Sequence, residues 1–228
     1  MKAKEQILGQ GMTSLRTRQR LVERLTEKGI RDVRILEVMR DTPRHLFLDE
    51  ALSSRAYEDL ALPIGHQQTI SQPYTVAKMT ETLIQIDKLS EKPIQDALEI
   101  GTGCGYQTAI LSKFSNKVTS IERIKPLHDK AKNILKDLKI RNVELFHDDG
   151  NGLNNTFKEY DAILSAAAPL AVPEYLLKSL SIGGRLIIPL GNASRQILTL
   201  ITRTDVTQFK TEEIEEVLFV PLLSGVVS

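Results

Sequence analysis

The residues best suited to chemistry stand at Glu99-Ile100-Gly101-Thr102-Gly103-Cys104-Gly105-Tyr106, directly after the apolar residues Ala97-Leu98. A strand that runs into a glycine-rich turn and then a helix brings backbone amides close to a ligand. Glycine tolerates positive φ, and the first amides of a helix have no partner inside it. This arrangement suits a nucleotide cofactor. Spacing excludes two common versions: Tyr106 stands where a G-x-G-x-x-G dinucleotide fingerprint needs its third glycine, and there is no lysine of a phosphate-binding P-loop. About twenty residues on, where nucleotide folds place a ribose-binding acid, Glu122 closes the apolar run Val118-Thr119-Ser120-Ile121. A further run ends in His147-Asp148-Asp149-Gly150. Read singly, Glu122 is equally an exposed carboxylate and Asp149-Gly150 equally a turn. Together they stand at the carboxyl ends of successive strands beside one loop, where open α/β sheets bind ligands. His45, His66, His128 and His147 form no metal-ligand spacing, so no metal is expected, and Cys104 reads as a small packing residue rather than a nucleophile.

Alternating strands and helices must position these groups. Short apolar runs predict strands at Ile94–Ile100, Lys117–Glu122, Val143–Phe146 and Tyr160–Ser165, with helices at Tyr106–Phe114 and Pro126–Leu138 and a short irregular link at Gly150–Phe157. A helix at Pro173–Leu180, broken by Gly183-Gly184, precedes strands at Arg185–Leu190, Gln196–Thr202 and Ile214–Val220. Little room is left for helices between these last strands, so the end of the sheet is expected to be antiparallel. Ahead of the sheet, helical periodicity predicts an amphipathic helix over Thr13–Glu27 and a second one capped by Asp32 and stopped before Pro43. The segment Arg44–Ile70 reads as irregular. A third helix opens at Ser71-Gln72-Pro73, with serine at the cap and proline in the first turn, and ends near Leu89.

The expectation is an α/β chain with a mostly parallel, Rossmann-like sheet and antiparallel strands at its C-terminal end. It forms one domain, 1–228, in which 1–90 is a helical, substrate-side extension and 91–228 the cofactor-binding core. Thirty basic against 29 acidic residues give a formal charge of +1, which argues against nucleic acid as a partner. No stretch approaches the roughly 20 apolar residues of a membrane span. The N-terminus lacks an apolar leader and the single cysteine cannot form an internal disulfide, so a cytoplasmic location is expected.

The E-x-G-x-G-x-G pattern at the end of a first strand resembles motif I of the class I S-adenosylmethionine methyltransferases. That likeness implies a turn wrapping the amino-acid part of the cofactor, Glu122 on its ribose and the acid after the third strand near its adenine. The acceptor has to be read elsewhere. Where methyltransferases of exocyclic amines carry an Asn/Asp-Pro-Pro-Tyr-like motif, this chain has Ser165-Ala166-Ala167-Ala168-Pro169, whose small residues fit a carboxylate acceptor at least as well. The run Pro63-Ile64-Gly65-His66-Gln67-Gln68-Thr69-Ile70-Ser71-Gln72-Pro73 resembles the signature of the protein-L-isoaspartate O-methyltransferases. So do EIGTGCGYQTAIL, YDAILSAAAP, GGRLIIPLG and FVPL, and the likeness extends from about Tyr57 to Leu222.

This resemblance implies transfer of a methyl group from S-adenosyl-L-methionine, leaving S-adenosyl-L-homocysteine, to the free α-carboxylate of L-isoaspartyl residues in damaged proteins. It implies that Ser71 orients that carboxylate, although Ser71 also reads as a helix cap. The implied cofactor residues are Gln68, Thr69, Ile70, Glu99, Gly101, Thr102, Gly103, Cys104, Gly105, Glu122, Arg123, Asp149 and Gly150. Phe219-Val220-Pro221-Leu222 resembles a segment that pairs with bound peptide, and reads equally as an edge strand. A monomer is expected from the resemblance. Asp148 and Leu218 depart from the pattern of several bacterial members of the family, which carry glycine and arginine there, and bear on the adenine loop and on peptide preference. The alternatives are a class I methyltransferase of another carboxylate or protein side chain, a non-catalytic cofactor-binding module and, more remotely, a Rossmann oxidoreductase.

Overall fold

A computed structural model describes residues 9–85, 90–150 and 158–228. Helices α1 (Leu15–Glu27) and α2 (Val33–Asp41) pack on each other through stripes that bury Leu21 and Leu25 on one side and Ile35 and Met39 on the other. Asp32 caps α2, its carboxylate accepting from the Arg34 amide at 2.9 Å. The hairpin β1 (Leu62–Gly65) and β2 (Gln68–Ile70) follows, and then helix α3 (Pro73–Ile84). Glu81 of α3 accepts from the amides of Arg31 and Asp32 and so ties α3 to the start of α2.

The main sheet alternates with helices: β3 (Ile94–Ile100), α4 (Tyr106–Phe114), β4 (Ser115–Glu122), α5 (Lys125–Asp137), β5 (Val143–His147), β6 (Tyr160–Ser165), α6 (Glu174–Lys178), β7 (Leu180–Asn192), β8 (Arg195–Arg203) and β9 (Phe209–Val217). The spatial order is β5-β4-β3-β6-β7-β8-β9, parallel through β7 and antiparallel from β7 to β9. β3 lies between β4 and β6, so the chain switches direction across the sheet there, and a crevice opens at its carboxyl end. One face of the sheet packs against α3, α4 and the N-terminal helices, the other around Leu98, Ile163, Leu176 and Ile188. Cover on both faces explains the near-continuous apolar runs in the central strands. Phe47 and Tyr106 meet edge to face inside the first of these cores.

Several boundaries differ from the sequence reading. The segment expected to be irregular contains the β1–β2 hairpin. Pro63 and Gly65 read as strand breakers, and the two-residue turn is made by His66 and Gln67 at φ 52° and 58°, without the glycine that usually marks such a turn. The N-cap of α3 is Gln72, with no side-chain cap, so Ser71 stands outside the helix. α6 is little more than one turn, and Gly183-Gly184 lies within β7. There the pairing slips between Tyr160↔Leu180 and Ala162↔Arg185, as in a bulge. The last strand ends at Val217 rather than Val220. Its Thr211-Glu212-Glu213 stretch has the polarity of a protected sheet edge, which hides it from an apolar pattern search. The expected end of the third helix near Leu89 and most of the link after Gly150 lie outside the described residues.

Gly191 lies in β7 opposite Gln196, just before the Ala193-Ser194 turn of the β7–β8 hairpin, at φ +140°, and a Cβ there would sit 2.1 Å from the Arg195 carbonyl oxygen. Gly191→Ala is therefore expected to lower the unfolding free energy by about 2 kcal/mol or more. Denaturant melts check this; an unchanged midpoint would mean that the hairpin reshapes freely.

Candidate active site

The glycine turn after β3 is fastened from both sides. The amides of Gly101 and Thr102 donate to the Ile121 carbonyl of β4 at 2.8 and 3.2 Å, and the Ala166 amide beyond β6 donates to the Ile100 carbonyl at 2.8 Å. Gly101 has φ +89°, and a Cβ on it would stand 3.4 Å from the Ala166 Cβ, so a side chain here would meet both backbone strain and a close neighbour. Glu122, 5% exposed at the end of β4, holds the outer part of the turn. Its Oε2 accepts from the Gly103 amide at 2.7 Å and its Oε1 from the Ile124 amide at 2.9 Å. Each oxygen retains a second acceptor site for a hydroxyl donor. At the end of β5, Asp148 accepts from the Gly150 amide at 2.8 Å, and Asp149 accepts from the Gly225 amide at 2.6 Å.

Gln68, Thr69, Ile70, Ser71, Gly101, Thr102, Gly103, Cys104, Glu122, Arg123 and Asp149 all line the resulting cleft. Glu99, Gly105 and Gly150 do not. Glu99 is fully buried beneath the turn. Gly105 begins α4 against Ala131, and Gly150 turns toward Ile100 and Tyr175. Burial pushes the Cys104 thiol up to about 11, so it stays neutral and supplies no nucleophile. The apolar walls include Ile100, Ile121, Ile124 and Leu222. A close-approach glycine turn, an acid able to take two hydroxyls and apolar walls fit a nucleoside cofactor. Among the described residues, no group of three or more His, Cys, Asp or Glu side chains could hold a metal ion.

A second groove meets this cleft, bordered by Lys28, Gln72, Tyr74, Glu215, Leu218 and Phe219. Thr69, Ser71, Ala166 and Val220 line both, so Ser71 stands at the junction. Ser71 is half-buried, caps no helix, and its hydroxyl has no hydrogen-bond partner among the described residues. Its place is set by Asp59, which accepts from the Tyr74 amide at 2.8 Å and the Gln72 side-chain amide at 3.0 Å and pairs with Lys28 at 2.6 Å. Burial pushes the Asp59 carboxyl up, but the hydrogen bonds from Lys28, Gln72 and Tyr74 outweigh it and hold it below its ordinary range.

The C-terminal segment contributes more than sequence reasoning found. Gln196, a buried side chain of β8, grips the Phe219 backbone in both directions, donating to its carbonyl at 3.0 Å and accepting from its amide at 2.6 Å. Ala168 and Leu222 then pair, and Leu222 and Leu223 reach the cleft. Beyond them Arg123 donates to the Gly225 carbonyl, and the Val227 amide donates to the Arg123 carbonyl at 2.7 Å. Leu223 to Ser228 carry no local motif, because they act through their own backbone, held by Arg123, Lys125 and Asp149 just beyond the ends of β4 and β5 and remote in sequence.

Residues 16–227 match the family described as protein-L-isoaspartate(D-aspartate) O-methyltransferase. A protein-L-isoaspartate O-methyltransferase of Saccharophagus degradans is 54% identical over 219 residues, 96% of each chain. One from Cellvibrio japonicus is 51% identical over 218 residues, 95% of this chain and 96% of the relative. Among solved structures, a Plasmodium falciparum chain assigned to the same family and crystallised in complex with S-adenosyl-L-homocysteine superposes with a TM-score of 0.78. It is 28% identical, covering 90% of this chain and 97% of that one. With this fold, this cleft and relatives matching along nearly its whole length, the chain belongs to the protein-L-isoaspartate (D-aspartate) O-methyltransferase family.

Proposed function

We propose that this chain transfers a methyl group from S-adenosyl-L-methionine to the free α-carboxylate of L-isoaspartyl residues in aged peptides and proteins. The observation that carries the reading is the uncommitted Ser71 hydroxyl at the meeting of cofactor cleft and acceptor groove. When bound, the cofactor supplies an electrophilic methyl group on a sulfonium. The acceptor needs little activation, since a main-chain α-carboxyl has a pKa of roughly 3.3–3.7 and is already ionised at neutral pH. Accordingly the residues shared by the two clefts, Thr69, Ser71, Ala166 and Val220, include no titratable base. Their task is to place a carboxylate oxygen at about 3 Å from the methyl group and keep water out. Ser71 donates to one carboxylate oxygen and leaves the other free to attack. The small side chains of Ala166 and Ala167 leave room for the branched isoaspartyl backbone. In the product methyl ester the neighbouring backbone amide nitrogen can attack the carbonyl and expel methoxide, which leaves as methanol with the amide proton, where a carboxylate has no such leaving group, so closure to succinimide proceeds off the enzyme.

The same reading takes the chain as a cytoplasmic monomer acting on peptide rather than nucleic acid. Its formal charge of +1 provides no phosphate-tracking surface, and no helix among the described residues is long and apolar enough to cross a membrane. It treats residues 1–228 as one domain, in which 1–90 carries the acceptor side and 91–228 the cofactor side. Sedimentation that gave a stable dimer would revise the monomer. The test of function is transfer of labelled methyl from S-adenosyl-L-methionine to two peptides that differ only in L-isoaspartate against L-aspartate. Base-labile label on the isoaspartyl peptide alone is expected. Equal labelling of both, or of neither with cofactor bound, would move the activity to a different acceptor.

A further inference from the structure

The residue that opens the glycine motif does not reach the cleft, yet it is wired to it. Glu99 is fully buried, and its Oε2 accepts from the Thr108 hydroxyl of α4 at 2.5 Å and from the Ser120 hydroxyl of β4 at 2.6 Å. Ser120 in turn lies 2.6 Å from the Thr102 hydroxyl, and Thr102 is a residue of the cleft wall. Glu99 Oε1 is buried with no partner.

Proton bookkeeping fixes the direction of this chain. A hydroxyl has one proton to donate. While Glu99 is ionised, Ser120 spends its proton on Oε2, so Thr102 must donate to Ser120 and is left purely an acceptor on its other side. If Glu99 takes up a proton, Oε1 is a poor place for it, because a buried O–H there would have no acceptor. On Oε2 the proton can be given to Ser120. Ser120 then donates to Thr102, and the Thr102 proton becomes free to point elsewhere. The Thr108 and Ser120 protons are used in both states; the states differ in what Thr102 offers to the cleft, lone pairs alone in the first and a proton beside a remaining lone pair in the second.

We propose that Glu99 is a positioning residue that never touches the ligand: acting through Ser120 and Thr102, its ionised form makes the turn an acceptor for the ammonium group of the cofactor's amino-acid moiety, and its protonated form weakens that by turning a Thr102 proton outward. The inference rests on the reading that the cleft takes an S-adenosyl cofactor. Protonated Glu99 plus the cationic ligand gives ionised Glu99 in the complex and one proton released to solvent. Burial pushes the Glu99 carboxyl up to about 7, with the Ser120 and Thr108 hydrogen bonds opposing and the like charge of Glu122 adding to it. The other positions facing Glu99, Thr108 on α4, Ser120 on β4 and its paired Leu164 on β6, are uncharged. The sign follows: the ligand favours the ionised form, so binding tightens as pH rises through neutrality and weakens as it falls.

The test is calorimetric titration of the full chain with S-adenosyl-L-homocysteine between pH 6 and 8, in two buffers of different ionisation enthalpy. For one group titrating near 7 the expected change is about tenfold weaker binding at pH 6 than at pH 8, with release of about one proton at the lower pH. Glu99→Gln, which keeps the shape but cannot ionise, is expected to bind at a fixed weak level with no pH slope. Thr102→Val should lose the slope and Thr102→Ser regain it, a pattern that a purely structural role for Glu99 would not produce. Wild-type binding that is flat from pH 6 to 8, or a slope that survives in Glu99→Gln, overturns the proposal. Carboxyl carbon NMR of the cofactor-free protein, with Glu99 assigned through Glu99→Gln, tests it separately. Titration of Glu99 in the ordinary carboxylate range overturns the relay, whereas failure of the wild type to bind S-adenosyl-L-homocysteine at every pH overturns the cofactor reading instead.

Discussion

Ser71→Ala is expected to lower kcat/KM for methyl transfer to an isoaspartyl peptide by about 10²-fold or more, while leaving S-adenosyl-L-homocysteine affinity essentially unchanged. The magnitude is that of one well-placed hydrogen-bond donor whose loss frees the reacting group to turn. Selectivity between these two readouts follows from position. Ser71 stands where the acceptor groove joins the cofactor cleft, outside α3, with its hydroxyl bonded to none of the described residues. Removing it therefore breaks no internal hydrogen bond and opens no cavity in the core, so thermal stability should hardly move. Ser71→Thr keeps the donor and should retain a measurable part of the rate. Transfer by Ser71→Ala at a rate comparable with wild type would assign orientation of the carboxylate to another group, such as the backbone of the Phe219–Leu222 segment.

Glu122→Ala should act on the other half of the site, weakening S-adenosyl-L-homocysteine binding by at least about 100-fold. Two effects add. The Gly103 and Ile124 amides lose their common acceptor, so the outer part of the glycine turn is no longer held in register with β4. The proposed ribose also loses two charge-assisted hydrogen bonds, each contributing about 1.5–3 kcal/mol. Glu122→Gln is expected to do nearly as badly, because its NH₂ would face one of the two N–H donors now bound to a carboxylate oxygen. Calorimetry with the nucleoside product reads the result directly. Retention of wild-type affinity in Glu122→Ala would show that the acid neither meets the cofactor nor is needed to hold the turn.

The central strands and the glycine turn were legible in the sequence because their determinants are local. Ile94–Ile100, Tyr106–Phe114 and Tyr160–Ser165 are found where apolar runs and helical periodicity predict them, since burial on both faces writes a dense apolar signal into each strand. The edges were harder. β9 is polar where it closes the sheet, and the Gly183-Gly184 pair, which reads as a stop, is absorbed into a long β7 by a bulge. The β1–β2 hairpin escaped notice because Pro63 and Gly65 sit inside β1, and its turn uses His66 and Gln67 in a backbone conformation that such residues seldom adopt.

For the site, the sequence alone pointed to the glycine turn, the acids after β4 and β5 and the Gln68–Ser71 run, which the fold brings to one cleft, because types and spacing at strand ends are constrained by what the strand ends must hold. Tertiary structure decided which of these face the cleft. Glu99 belongs to the motif, but its side chain points beneath the turn toward Thr108 and Ser120, an orientation set by packing between β3, β4 and α4. Ser71 was ambiguous between cap and donor until the start of α3 was placed one residue further on by Asp59, which binds Gln72 and Tyr74 from 13 and 15 residues away. The closing of the cleft by Gly225 to Val227 depends on backbone hydrogen bonds between Val227 and both Arg123 and Lys125, and on the Arg123 and Asp149 side chains gripping the Gly225 backbone, a third to a half of the chain distant. On the C-terminal side every one of these groups is a backbone N–H or C=O, indifferent to side-chain type, and so leaves no mark in the sequence of that segment.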